Sequence, residues 1–239
     1  MKEKIYTGSS KTLYQSDEDY ALIMSFNDNL KLQDKSSVII SGKGVINNSI
    51  SAFLMQKLDL IGIETHFIQK NNMRQQLIQF VDVFPVQLRV SSLASDRYVK
   101  DFGMEDGFVF DSPIIDFRVK NGDLNYPIIN EHQIYSFSWL SKKEIIQLKN
   151  VAIRVYDFLS GLFAGIGIRL VDIKLEFGRV FNGEEYMIML TDEISPDTCK
   201  LWDMHNNEKL CYEIAETNQD LVMSVYQEVL RRLNIKTDS

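Results

Sequence analysis

Cysteine is nearly missing from this 239-residue chain, which has two, Cys199 and Cys211. So few thiols argue against a disulfide framework and fit a reducing compartment. Proline is scarce, with four, and the twelve glycines are spread thinly. No Pro- or Gly-rich stretch marks a linker, and no repeat or low-complexity tract is visible. Missing too is any apolar run near the roughly 20 residues needed to span a bilayer. The segment Met1-Lys2-Glu3-Lys4 leads into a strand-like stretch without the apolar region of a signal peptide. The expectation is a soluble, cytoplasmic protein. Positive charge is in deficit, with 26 Lys and Arg against 33 Asp and Glu and a net charge of -7. That balance disfavours a nucleic-acid coat or a membrane-surface binder. A small phosphorylated ligand, which needs only a local basic pocket, stays possible. The three histidines, His66, His132 and His205, lack metal-ligand spacing, and His66 reads as a core residue in an apolar strand.

What is present is ordinary globular material: 45% hydrophobic and 25% charged residues, in a chain long enough to bury a sizeable core. Lys4–Tyr6 and Lys11–Gln15 read as strands around the turn Thr7-Gly8-Ser9-Ser10, and Tyr20–Phe26 as a third strand. Asn48–Leu60 has helical spacing, with Gly62 as a stop. Glu64–Gln69, Leu77–Val83 and Pro85–Val90 read as strands. The clearest helix runs from Lys142 to Gly161. Ser141 and Glu144 form its capping box, and Ile145, Leu148, Ala152, Val155 and Leu159 form its apolar stripe. Arg179–Glu185 turns the chain, Tyr186–Thr191 returns as a hairpin strand, and Leu221–Leu233 closes as an amphipathic helix. Strand clusters and hairpins, without regular βαβ units, predict an α+β fold.

The stretch Val171-Asp172-Ile173-Lys174-Leu175-Glu176-Phe177-Gly178 carries the most information. As a strand it sends Val171, Ile173, Leu175 and Phe177 to one face. Asp172, Lys174 and Glu176 then share the other, roughly 7 Å apart. On alternation alone this is an edge strand with a solvated, charged face. A carboxylate, an ammonium and a second carboxylate in a row also suit a polyphosphate and its magnesium. The hairpin would bring Asp192 beside Glu176, and Asp197 follows in a turn. Gly8-Ser9-Ser10-Lys11 is a possible phosphate cradle, although it lacks the glycine spacing and the helix of a Walker loop. Gly42-Lys43-Gly44 reads as an ordinary loop. Asp116 and Asp123 read as solvated charges, and Cys199, near an acidic turn, as an unreactive thiol.

At Leu170–Gly178 and Asp192–Asp203 the chain resembles the SAICAR synthetase family of purine-biosynthesis ligases. The family's Leu-Val-Asp-x-Lys-x-Glu-x-Gly strand and Asp-Glu-x-Ser-Pro-Asp segment, ending in Arg-Leu-Trp-Asp, are matched with Lys200 in place of the arginine. Lys4–Gly8, Gly42–Asn48, Thr65–Ile68, Asn130-Glu131 and Tyr226–Val229 match in order, so the resemblance covers essentially the whole chain. It implies a two-lobed α+β fold, residues 1–84 and 85–239, with antiparallel sheets and an ATP cleft like that of ATP-grasp enzymes and kinases. It implies an ATP- and magnesium-dependent ligation of CAIR and L-aspartate to give SAICAR, by a homo-oligomer. By position, Gly8, Lys11, Lys120 and Lys174 would meet ATP, and Glu176 and Asp192 would bind magnesium. Lys100, Asp197 and Lys200 would face the ribotide, with Lys174 and Asp197 closest to the chemistry.

The departures from the family pattern cluster. Ser9 replaces a lysine of the first turn. Asn29–Asp34 lacks the family's Ala-Thr-Ala-Phe-Asn segment. In the Val-Arg-Asn-x-x-x-Gly-Ser run, Ser91, Ser92, Asp96 and Arg97 replace the four polar or glycine positions. Tyr126 stands in the family's Asp-Pro, and Cys211–Glu216, including Ile214, loses two arginines. Each lost charged hydrogen bond is worth roughly 1.5–3 kcal/mol. The alternative expectations are therefore a nucleotide-binding paralogue without turnover, or a ligase for another acid or amine.

Overall fold

A computed structural model describes residues 2–32 and 34–236, so Gln33, within the Asn29–Asp34 departure, lies outside the described residues. The strands are β1 (Lys4–Thr7), β2 (Lys11–Gln15), β3 (Ala21–Phe26), β4 (Asn29–Lys31), β5 (Ser37–Ile39), β6 (Phe67–Lys70), β7 (Gln75–Gln79), β8 (Asp82–Leu93), β9 (Val109–Val119), β10 (Ile128–Ile129), β11 (Ile168–Phe181), β12 (Tyr186–Thr191) and β13 (Cys199–Asp203). The helices are α1 (Lys43–Asp59), α2 (Arg97–Phe102), α3 (Glu131–Ser136), α4 (Lys142–Ala164) and α5 (Val222–Arg232). One sheet runs β1-β2-β3-β7-β6. The second runs β10-β9-β8-β11-β12, with β13 also paired to β11, and β4 and β5 form a small ribbon. The chain is α+β with antiparallel sheets, as expected. The two larger sheets meet where His66 N donates to Leu190 O (2.9 Å) and Leu190 N to Glu64 O (2.9 Å).

Helix α4 starts where the capping box places it: Glu144 N donates to Ser141 Oγ (3.2 Å) and Ser141 N to Glu144 Oε2 (2.7 Å). Its stripe Ile145, Leu148, Ala152, Val155 and Leu159 is buried against the core face of the second sheet, beside Leu88, Leu175 and Phe177. Helix α1, by contrast, begins five residues before the expected Asn48. Its first turn is capped from outside: Asp28 accepts hydrogen bonds from Gly42 N (3.2 Å) and Gly44 N (3.0 Å), and Arg74 grips the same carboxylate at 2.8 and 2.9 Å. Pattern reading misses this cap because Asp28 is distant in sequence. Glu64–His66 is diverted to β12, so β6 starts only at Phe67. The expected strand Leu77–Val83 is split: β7 ends at Gln79, and β8 starts at Asp82 and runs unbroken through Pro85.

The expectation of a solvated edge for Val171–Gly178 is overturned. Strand β11 is interior, with β8 on one side and β12 and β13 on the other. At Gly178 the β8–β11 register shifts, and a Cβ there would lie 2.5 Å from Asp82 O and from Val81 Cγ1. We expect Gly178→Ala to destabilise by about 1–3 kcal/mol, as overpacking does. In a chain of this size each kcal/mol lowers Tm by about 2–4 °C, which a thermal melt would register.

Candidate active site

Alternation along β11 turns Ile173, Leu175 and Phe177 into the main core and Asp172, Lys174 and Glu176 to the opposite face. At the register shift between Leu170 and Asp172 the expected pattern breaks, and Val171 packs with Leu93 and Trp202 instead. Strand register builds that face into rows. One row holds Ile114, Ser91, Asp172 and Lys200. The next holds Asp116, Arg89 and Lys174, and a third holds Arg118, Gln87, Glu176 and Thr191. Most of these charges are covered and paired. Arg89 Nε meets Asp172 Oδ2 at 2.5 Å, and Ser91 Oγ donates to the same carboxylate at 2.7 Å. Lys120 pairs with Glu176 at 2.5 Å. Lys200 is fully buried and pairs with Asp96 and, at 3.1 Å, with Glu213. Lys174 Nζ sits 4.5 Å from the centre of the Tyr212 ring.

The β1–β2 turn supplies a second wall. Gly8 N donates to Lys11 O (2.9 Å), closing the turn, and the Lys11 ammonium pairs with both Asp192 and Glu193. Ser10 Oγ also donates to Glu193 (3.2 Å). Asp192 has φ +66°, a left-handed bend after β12 that turns the next residue, Glu193, inward. Behind this turn Asp197 pairs with Lys43, at the first turn of α1, and accepts a hydrogen bond from Tyr226 Oη of α5 (2.5 Å).

The electrostatics follow from burial and crowding. Burial, then the neighbouring Asp192 charge, pushes the Glu176 carboxyl up to about 7, although Lys120 opposes them. For Asp192, burial favours the neutral acid, but Lys11 outweighs it and holds the carboxyl below its ordinary value. Burial pulls the Lys11 ammonium down, yet Asp192 and Glu193 together hold it above the usual lysine range. Glu193 is raised by burial despite Lys11. Burial lowers His66 to about 4, so it is a neutral core histidine, as expected. Burial also raises Cys199, to a weakly acidic thiol of little reactivity; the acidic turn is not the main cause.

Gly8, Lys11, Lys120, Glu176 and Asp192 are thus brought to one end of the polar face, and Lys174, Asp197 and Lys200 lie along it. Lys100 is apart, exposed on α2 and lining a cavity of about 310 Å³ with Asp96, Lys209 and Glu213. Asp116 is not a solvated charge: Arg97 pairs with it at 3.0 Å and Tyr98 Oη donates to it at 2.9 Å. Asp123 is exposed, as expected. Sequence reasoning missed Glu193, Arg89 and the Lys43–Asp197 pair. The signal for Glu193 was its place after Asp192; Lys43 gave none, because the helix start that makes its buried cation unusual is itself hidden in the sequence, where Gly42-Lys43-Gly44 reads as a loop.

Glu176 and Asp192 are two hard oxygen donors whose charges repel in a buried place. That donor set fits a divalent cation such as magnesium, which keeps further positions for phosphate or water. Among the described residues no third His, Cys, Asp or Glu completes a closed cluster.

The SAICAR synthetase family model matches residues 4–233. A phosphoribosylaminoimidazole-succinocarboxamide synthase of Rickettsia massiliae is 59% identical, over 99% of this chain and all of its own. The structure of the synthase of that name from Ehrlichia chaffeensis superimposes with a TM-score of 0.95 at 40% identity, over 99% of this chain and all of the other. A SAICAR synthetase solved in complex with ADP gives a TM-score of 0.92 at 30% identity, with the same coverage. The chain belongs to the SAICAR synthetase family.

Proposed function

We propose that this protein is the ATP-dependent ligase that joins CAIR and L-aspartate into SAICAR in purine biosynthesis, releasing ADP and phosphate. The observation that carries the reading is the convergence of Lys11, Lys120, Glu176 and Asp192 beside the Gly8 turn, on a fold shared with an ADP-bound relative 30% identical to it. Chemically, the γ-phosphoryl of ATP passes to the CAIR carboxylate and ADP departs. The aspartate amine then attacks the acyl carbon, loses a proton, and phosphate leaves. Lys11 and Lys120 face the nucleotide phosphates, and Gly8 lets them approach the turn. Glu176 and Asp192 would hold magnesium, which when bound offsets phosphate charge. Lys174 and Asp197 line the path between nucleotide and ribotide, and Lys200 and Lys100 face the ribotide side. Their contribution is positioning and charge, the main resources for phosphoryl transfer.

On the same reading, residues 1–84 and 85–239 are the two lobes of a cytoplasmic homo-oligomer. Among the described residues no helix is long and apolar enough to cross a membrane. What favours a working ligase over a paralogue without turnover is the 59% identity to a curated synthase along nearly the whole chain.

The test is phosphate release from Mg-ATP by purified protein, with CAIR and aspartate omitted in turn. Release that needs both, with SAICAR formed, is expected. Nucleotide binding without turnover would sink the reading. Glu176→Gln and Asp192→Asn should each weaken Mg-ATP binding tenfold or more, about 1.4 kcal/mol, as titration calorimetry would show.

A further inference from the structure

On the polar sheet face the cations outnumber the carboxylates that could pair with them. Asp172 takes Arg89, Asp116 takes Arg97, Glu176 takes Lys120, and Asp96 with Glu213 takes Lys200. Arg118 and Lys174 are left over: among the described residues neither has a carboxylate within ion-pair reach. Arg118 Nη1 makes only a long hydrogen bond to Tyr126 O (3.4 Å), and its Nε is buried without an acceptor. Lys174 Nζ has the Tyr212 ring and no oxygen partner.

Arg89 stands between them. It lies directly opposite Lys174 on β11, and its other neighbour, Asp116 on β9, is two residues from Arg118 on the same face. Burial, followed by the charges of Arg89 and Arg97, holds Arg118 below its ordinary value. Burial, then Arg89, does the same to Lys174. Both residues are half-buried; charge drawn partly out of water without a counter-ion is costly, so such a pair fits a place where an anion arrives from outside. Guanidinium forks suit planar or tetrahedral oxyanions, to which they can bond twice.

We propose that Arg118, with Arg89 and Lys174 beside it, binds an oxyanion carried by a substrate, a phosphate or a carboxylate. The assignment rests on the ligase reading for which substrate this is. It gives this chain a guanidinium pair, Arg89 and Arg118, close to where Ser91 and Ile214 leave the family's arginines absent. Ser91 is two residues from Arg89 on one strand face, and Tyr212, whose ring lies under Lys174, begins the turn that holds Ile214.

Arg118→Met and Arg118→Lys test it. With Arg118→Met, KM for CAIR or for aspartate should rise tenfold or more while KM for ATP stays within twofold, and the substrate that moves identifies the oxyanion. Arg118→Lys, which keeps the charge but loses the fork, should fall between. Titration with orthophosphate needs no turnover: wild type should bind it, and Arg118→Met at least tenfold more weakly. The ligand-free Arg118→Met protein should melt no lower than wild type, since it loses a half-buried charge that has no carboxylate partner among the described residues, whereas a purely structural arginine would lower Tm. Unchanged KM values together with unchanged phosphate affinity would overturn the proposal. If wild type makes no SAICAR yet binds phosphate through Arg118, the ligase reading fails and this site stands.

Discussion

Replacing Lys11 with methionine is expected to lower SAICAR formation by about two to three orders of magnitude and to destabilise the fold by about 3–5 kcal/mol. In the phosphate-facing role we propose for Lys11, the activity loss is that of deleting one preorganised charge aimed at a reacting oxyanion. The stability loss is that of removing one partner from a buried ion pair. Both follow from one arrangement. The Lys11 ammonium is the shared counter-ion of Asp192 and Glu193, and the Glu193 side chain is 1% exposed. Without Lys11, only the Ser10 hydroxyl is left to oppose the burial that already pushes Glu193 upward, and Asp192 loses the largest of the charges that hold it down. The two carboxyls of the variant would then take up protons more readily folded than unfolded. A group raised in this way stabilises the fold at low pH, and that contribution fades as pH rises through its folded value. The deficit of Lys11→Met against wild type should therefore shrink from pH 7 to pH 5, in paired urea titrations. A deficit independent of pH would mean that Lys11 acts through its methylene stem and not its charge.

How far the molecule is readable from its sequence differs by element. Helix α4 is nearly complete in the sequence, because a capping box and an apolar stripe are both local signals and both are found in place. The β1–β2 turn and the β11–β12 hairpin are equally local, and so the meeting of Glu176 with Asp192 is readable. What escapes is pairing between distant segments. The Asp172–Lys174–Glu176 alternation looks like a solvated edge until Arg89, Ser91 and Lys120 cover it from strands about 80 and 55 residues away, a separation that periodicity cannot see. Arg97 illustrates the converse. As a new arginine beside a lost one it invites the idea of compensation, yet it turns to Asp116 and packs over Tyr98 and Phe102. The start of α1 is hidden for the same reason, since its cap, Asp28, sits on a separate loop.

Lys43→Met should cost about 3–5 kcal/mol of stability, the size of effect that follows when a buried charge loses its partner. Lys43 is fully buried at the first turn of α1, where the helix dipole disfavours a cation. Among the described residues Asp197 is its counter-ion: the two side chains pair directly, and Tyr226 Oη donates to the remaining Asp197 oxygen at 2.5 Å. The pair ties together α1, the turn after β12, and α5, three elements far apart in sequence that close round the proposed ribotide side. Without Lys43, the Asp197 carboxylate, whose side chain is 8% exposed, would keep the tyrosine alone among the described residues. A double-mutant cycle makes the claim quantitative. Asp197→Asn removes the charge left unpaired in Lys43→Met, so the double variant should be clearly more stable than Lys43→Met alone. It should also remain much less active than wild type, because Asp197 is the carboxylate we propose lines the reaction path. If the double variant is instead destabilised by the sum of the two single losses, the residues do not act as a pair. Lys43 would then be held by packing alone.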